Sequence, residues 1–163
     1  MPTRRIIRIV HQQHQDAPYS GEGGLYASGR WHHQGRLVSY AAPSLALATL
    51  EILAGIGSMK RLGEMVYVPA HLETVAINSV SARDLPEGWD RRPPGDPSQN
   101  FGDEWLKAGE DVALEVPSVL FPEEETNFIL NPAHADFDRV LSIDDPSTLR
   151  LDPRIVETLQ TGL

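Results

Sequence analysis

The segment PSLALATLEILA, residues 43–54, constrains this chain more than any other. Pro43 suits a turn into a helix, because its fixed φ fits a first helical turn. The spacing predicts a helix over Ser44–Ala54, ended by Gly55 and Gly57. Leu47, Leu50 and Ala54 share one face, while Leu45, Ile52 and Leu53 cover most of the rest. A helix apolar nearly all round is expected to be buried. Glu51 stands in the middle of that stripe. A carboxylate there is costly unless it is paired, hydrogen-bonded or turned toward a polar cleft.

Around this helix the sequence reads as one α+β domain spanning residues 1–163, with a mixed or split sheet core and flanking helices. At 163 residues, 40% hydrophobic and 23% charged, it is long enough to bury a real core. Strands are expected at Ile6–Val10, Leu37–Ala41, Met65–Pro69, Thr74–Asn78, Asp111–Phe121 and Arg139–Ile143. A short helical segment is expected over Phe101–Gly109 and a closing helix over Pro153–Gln160. Residues 84–99 hold four prolines and two glycines. They read as an irregular, variable surface loop.

Charge and composition exclude several functions. Lys and Arg number 14 against 23 Asp and Glu, a formal net charge of -9. Direct nucleic-acid binding through phosphates and adhesion to an anionic membrane are therefore not expected. With no cysteine, disulfides, thiolate zinc sites and a cysteine nucleophile are ruled out. The apolar run after the basic start is too short for a signal peptide, and no stretch reaches transmembrane length, so a cytoplasmic protein is expected. The glycines of GEGGLYASG match neither a P-loop nor a dinucleotide fingerprint. The histidines lack a zinc spacing, so no metal is expected, and no serine sits in a nucleophile elbow.

What remains is polar residues in apolar company: Arg8, Arg30, Tyr40, Glu51 and Ser118. Each has an ordinary reading. Arg8 can point to solvent from an edge strand, Glu51 can pair structurally with Arg30, and Ser118 can simply turn the chain after Pro117. Gathered in one cleft, they suit an anionic ligand, with arginines on phosphate oxygens and a carboxylate on a hydroxyl or a developing cation.

The run GRWHHQGRLVSYAAPSLALATLEIL resembles the RES domain, the toxin of RES–Xre toxin–antitoxin systems. The matching positions are Gly29, Arg30, Trp31, Gly35, Tyr40, Ala41, Ala48 and Glu51. A second block, VPSVLFPEEETNFILNPAHADF, is similar to the C-terminal block of that family through Val116, Pro117, Ser118, Asn127, Leu130, Asn131, Pro132 and His134. Arg8 and Ile9 fit the family's first strand. The proline-rich loop has no counterpart in the pattern.

The resemblance implies a fold like the catalytic core of ADP-ribosyltransferase toxins, with NAD+ as substrate. It implies cleavage of the nicotinamide–ribose bond by a glycohydrolase or phosphorylase, or else mono-ADP-ribosylation of a protein acceptor. A catalytically silent binding module is the rival from another class. Arg30, Tyr40 and Glu51 are the expected catalytic residues, with Arg8, Arg30, Tyr40, Ser118 and Asn127 holding NAD+. The partner implied is an Xre-like helix-turn-helix antitoxin, through which any DNA contact would pass, with a toxin homodimer inside the complex. One departure stands out: His32 and His33 follow Trp31 where the family carries Asn. This alters the expected rim of the pocket and leaves hydrolysis and transfer both open.

Overall fold

In the computed structural model, which describes residues 1–55 and 59–161, strand β1 (Thr3–His11) is hydrophobic on both faces. Ile6 and Val10 join one buried cluster with Val68, Ala70, Phe128 and Leu130. Ile7 and Ile9 join another with Ala42, Leu47 and Ala48. The period-2 alternation of a strand sends them to opposite sides. β1 pairs antiparallel along its full length with β3 (Met65–Glu73). Two short strands, β7 (Leu141–Ile143) and β8 (Ser147–Thr148), occupy the far edge of β3.

The second sheet runs in the order β2 (Ser39–Ala41), β6 (Thr126–Leu130), β5 (Ala113–Pro117), β4 (Ile77–Ser79). Its pairs are antiparallel except the parallel β4–β5 pair. A backbone bridge joins the two sheets. Ile7 N donates to Ala42 O at 2.8 Å and Ala42 N donates to Ile7 O at 2.9 Å. The expected α+β architecture with a split sheet is what the chain adopts.

Helix α1 (Leu45–Gly55) opens with Ser44 as its cap, the Ser44 hydroxyl accepting from Leu47 N at 3.1 Å. Gly57 lies outside the described residues. Helix α2 (Asp96–Ala108) stops at Gly109, whose positive φ of 63° closes it. The other helices are α3 (Phe137–Val140) and α4 (Pro153–Thr161). No helix among the described residues is long and apolar enough to cross a membrane.

Several expectations need correction. α1 is not buried all round: Leu47 and Ala48 are covered, while Leu50 is 44% exposed. The helix packs on β1 through Leu47 and Ala48, and Leu50 has no such cover. β3 does not stop at Pro69. Both backbone groups of Ile7 go to Ala42, which makes Ile7–Pro69 a pair without ladder bonds between β1 and β3. The missing N–H of Pro69 therefore faces the gap between β7 and β8, where it costs nothing. Residues 74–76 form a helical turn, so β4 is Ile77–Ser79 and shares only residues 77 and 78 with the strand expected over Thr74–Asn78. β5 covers 113–117 of the longer run, and the last strand is shortened by α3.

Residues 84–99 are not a detached surface loop. Leu85 and Trp89 are buried in the cluster that contains Trp31, Leu106 and Ile129. Residues from Asp96 onward already belong to α2, begun by Asp96 and Pro97 in its first turn. Gly102 is what lets α2 lie so close: a Cβ there would meet the Trp31 carbonyl oxygen at 1.7 Å. Trp31 and Trp89 stack at 6.0 Å between centroids, with Phe101 edge-on to Trp31 at 6.0 Å.

Candidate active site

Where the two sheets part beside α1, a cleft of about 550 Å³ opens, of the size that takes small-molecule ligands. Arg8 from β1, Arg30 from the turn before β2, Tyr40 from β2, Glu51 from α1 and Asn127 from β6 all line it. Five residues from five segments thus converge. Ser118 does not line the cleft. It is 1% exposed and stands behind Glu51.

Glu51 is held by two donors on one oxygen. Ser118 Oγ donates to Glu51 Oε1 at 2.7 Å, and Asn127 Nδ2 donates to the same oxygen at 2.7 Å. No hydrogen bond to Oε2 is found among the described residues. A carboxylate fixed through one oxygen, with the other at a cleft, is prepared to accept a hydroxyl or face a positive charge. Asn127 Oδ1 is buried and has no hydrogen-bond partner among the described residues. The structural alternative of a Glu51–Arg30 ion pair is not adopted: the described residues show no contact of that length, and Ser118 and Asn127 take its place.

Arg8 does not point to solvent. Its Nε donates to Pro18 O at 2.7 Å and its Nη1 to Tyr40 O at 3.0 Å, which leaves Nη2 for a ligand. Burial draws its pKa below the ordinary arginine value, opposed by Tyr19 and Tyr40. Arg30 Nη1 donates to both Trp89 O and Arg91 O at 2.9 Å. Its pKa is likewise lowered by burial, with the field of Glu51 acting to raise it. Both guanidiniums remain cations and keep donors for phosphate or hydroxyl oxygens.

Tyr40 and His32 form a unit. The Tyr40 hydroxyl is hydrogen-bonded to His32 Nδ1, and His32 Nε2 lies 2.7 Å from Ala27 O. Burial raises the tyrosine pKa and lowers that of His32. His33 faces the other way, its Nδ1 2.6 Å from Asp103 Oδ2 and its Nε2 3.1 Å from Asp96 Oδ1. Arg36 Nε joins Asp103 at 3.2 Å. The two histidines therefore divide their work: one backs Tyr40, the other ties this turn to α2.

Sequence reasoning missed the residues that brace Arg30. Trp89 and Arg91 contribute carbonyl oxygens, which no side-chain pattern reveals. A signal was present nonetheless, since a lone tryptophan in a proline-rich stretch is a natural anchor. Among the described residues, no group of three or more His, Asp or Glu side chains is arranged to hold a metal ion.

The RES domain family model matches residues 5–152. A protein of Yersinia enterocolitica serotype O:8 / biotype 1B named Toxin Res is 33% identical over 150 residues, covering 92% of this chain and 98% of its own. A Sphingobium protein named Prs ADP-ribosylating toxin is 39% identical over 120 residues, 72% of this chain and 74% of that protein. Among solved structures, a chain in the crystal structure of the M.tuberculosis MbcT-MbcA toxin-antitoxin complex superposes with a TM-score of 0.69. That alignment covers 99% of this chain and 91% of the other at 13% identity, a likeness of fold.

Proposed function

Because this chain belongs to the RES domain family, we propose that it is the toxin of a toxin–antitoxin pair and consumes NAD+ in this cleft. The bond broken is the one between nicotinamide and ribose. The observation that carries the proposal is the Glu51 carboxylate, fixed by Ser118 and Asn127 on one oxygen and bordering a cleft with two arginines.

In this reading the C1′–N bond breaks with its electron pair leaving on the nicotinamide nitrogen, which becomes neutral. The sugar passes through an oxocarbenium-like state. Glu51 stabilises that charge directly or through the 2′-hydroxyl. Arg8 and Arg30 receive the pyrophosphate or adjacent ribose oxygens. Tyr40 offers its ring and its hydroxyl oxygen to the nicotinamide riboside end, and Asn127 borders the ligand while its Nδ2 holds Glu51. Ser118 acts through Glu51. Water then adds to C1′ and loses a proton, giving ADP-ribose; with phosphate as nucleophile the product is ADP-ribose 1″-phosphate.

A second reading, transfer of ADP-ribose to a protein, is favoured by the Sphingobium relative's name. It uses the same bond cleavage with a protein nucleophile in place of water. The partner in either reading is an antitoxin with an Xre-like helix-turn-helix part, oriented by the acidic surface of this chain.

Purified protein with NAD+, followed by chromatography, tests the proposal. Nicotinamide and soluble ADP-ribose or its 1″-phosphate in equal amounts, absent with a folded Glu51→Ala variant, support cleavage by water or phosphate. Label from NAD+ fixed on one protein of a cell extract supports transfer. A folded Glu51→Ala variant with full activity, or NAD+ binding with no turnover in either assay, overturns it.

A further inference from the structure

We infer that His32 is a positioning residue for this cleft: its Nδ1 accepts the hydrogen bond donated by the Tyr40 hydroxyl, so that the Tyr40 oxygen meets the ligand as a hydrogen-bond acceptor. The assignment of a ligand rests on the proposed NAD+ site, whereas the direction of the hydrogen bond rests on the partners of the His32 ring and on its neutral state.

His32 is 4% exposed. Its Nε2 lies 2.7 Å from the carbonyl oxygen of Ala27, a group that only accepts, so Nε2 carries a hydrogen. A neutral imidazole has one such hydrogen, which leaves Nδ1 as a lone pair. Nδ1 is the atom that meets the Tyr40 hydroxyl. Among the described residues the phenol is the one donor that meets it, so the Tyr40 proton points at His32. Burial holds both groups in these states, lowering the histidine pKa and raising the tyrosine pKa. The charged groups near His32 are Asp103, whose field favours a charged ring, and His33, whose field opposes it; near Tyr40 the fields of Arg8 and Arg30 act to lower its pKa and that of Asp103 to raise it. Asp103 is already engaged by His33 and Arg36. Gly29 closes the remaining side: a Cβ there would stand 2.9 Å from His32 Cε1 and 3.1 Å from the Tyr40 oxygen.

The consequence is a choice of ligand group. A phenol whose proton is spent offers only lone pairs, so Tyr40 takes a hydroxyl or carboxamide donor and does not serve a phosphate oxygen. It therefore belongs to the ribose–nicotinamide end of NAD+. An asparagine at position 32 carries Oδ1 on Cγ, as histidine carries Nδ1, and retains an acceptor at that place.

Long-range proton–nitrogen spectra of the 15N-labelled protein read the tautomer directly. His32 is expected neutral with its hydrogen on Nε2, and Tyr40→Phe is expected to shift the Nδ1 resonance. In kinetics, His32→Leu is expected to raise KM for NAD+ about tenfold, the worth of one hydrogen bond. His32→Asn is expected to recover most of that loss. A hydrogen on Nδ1, a folded His32→Leu protein with wild-type KM, or equal losses in the Leu and Asn variants would overturn the inference. If NAD+ is not turned over at all, the function fails, and the tautomer with its response to Tyr40→Phe still decides the hydrogen bond.

Discussion

Ser118 donates its hydroxyl to Glu51 Oε1 at 2.7 Å without itself reaching the cleft. It follows the last residue of β5, while the second donor, Asn127, sits on β6 opposite Val116. The adjoining ends of two paired strands thus clamp a carboxylate that arrives on a helix. Because Ser118 acts through the carboxylate, its loss should change the reaction more than the binding. Ser118→Ala is expected to lower kcat for nicotinamide release about ten- to hundredfold, the worth of a charge-assisted hydrogen bond at about 1.5–3 kcal/mol. KM should move little. A raised KM with kcat preserved would place the hydroxyl on the ligand instead.

Glu51→Gln separates charge from shape. The amide oxygen still accepts from Ser118 and Asn127, so the clamp and the fold should persist, read as an unchanged melting temperature and circular dichroism spectrum. The negative charge is gone, and turnover is expected to fall more than about a hundredfold, the scale of a lost preorganised electrostatic contact. NAD+ binding by calorimetry should survive. Turnover near wild type would mean that the carboxylate does not face a developing cation.

How much of this was legible depends on the kind of atom. α1 was readable because leucines at helical spacing, with Pro43 before them and Gly55 after, are side-chain facts, whereas the Ser44 cap emerged only in the structure. That Leu50 would remain exposed was not, since helix periodicity does not tell how many neighbours a helix has. The convergence of Arg8, Arg30, Tyr40, Glu51 and Asn127 followed their recognised pattern, but the place of Ser118 behind Glu51 is a matter of depth, which sequence does not encode locally. β6 escaped notice as a strand. Its five residues follow a run of three glutamates and show no apolar alternation, because Phe128, Ile129 and Leu130 are buried consecutively.

His32 and His33 are neighbours with opposite proton linkage. His33 gains its pKa rise from Asp103 first and Asp96 second. A raised folded pKa gives stability that is full below the unfolded value and is lost as pH rises through the folded one. His32 is lowered by burial from its ordinary 6.5, so its contribution is present above that value and is lost as pH falls through the folded one. Melting curves should show wild type exceeding His33→Gln most below about pH 6.5, with the gap closing as pH rises above it. Against His32→Asn, wild type should lose ground as pH drops below about 6.5. Parallel curves for either pair would remove the ring from the linkage.

Trp89 decides whether the proline-rich stretch is decoration or part of the site. Its indole stacks on Trp31, and its backbone carbonyl, with that of Arg91, holds the Arg30 guanidinium. Trp89→Ala leaves the carbonyl in place but removes the anchor that positions it. The buried volume lost corresponds to about 3–5 kcal/mol, which denaturant unfolding measures. Arg30, held by a carbonyl whose position is no longer fixed, should then pay an ordering cost on binding, and KM for NAD+ should rise several-fold. Trp89→Phe preserves an aromatic ring on Trp31 and should keep most of both properties. Unchanged stability in Trp89→Ala would detach residues 84–99 from the core. Lost stability with an unchanged KM would detach them from Arg30 alone.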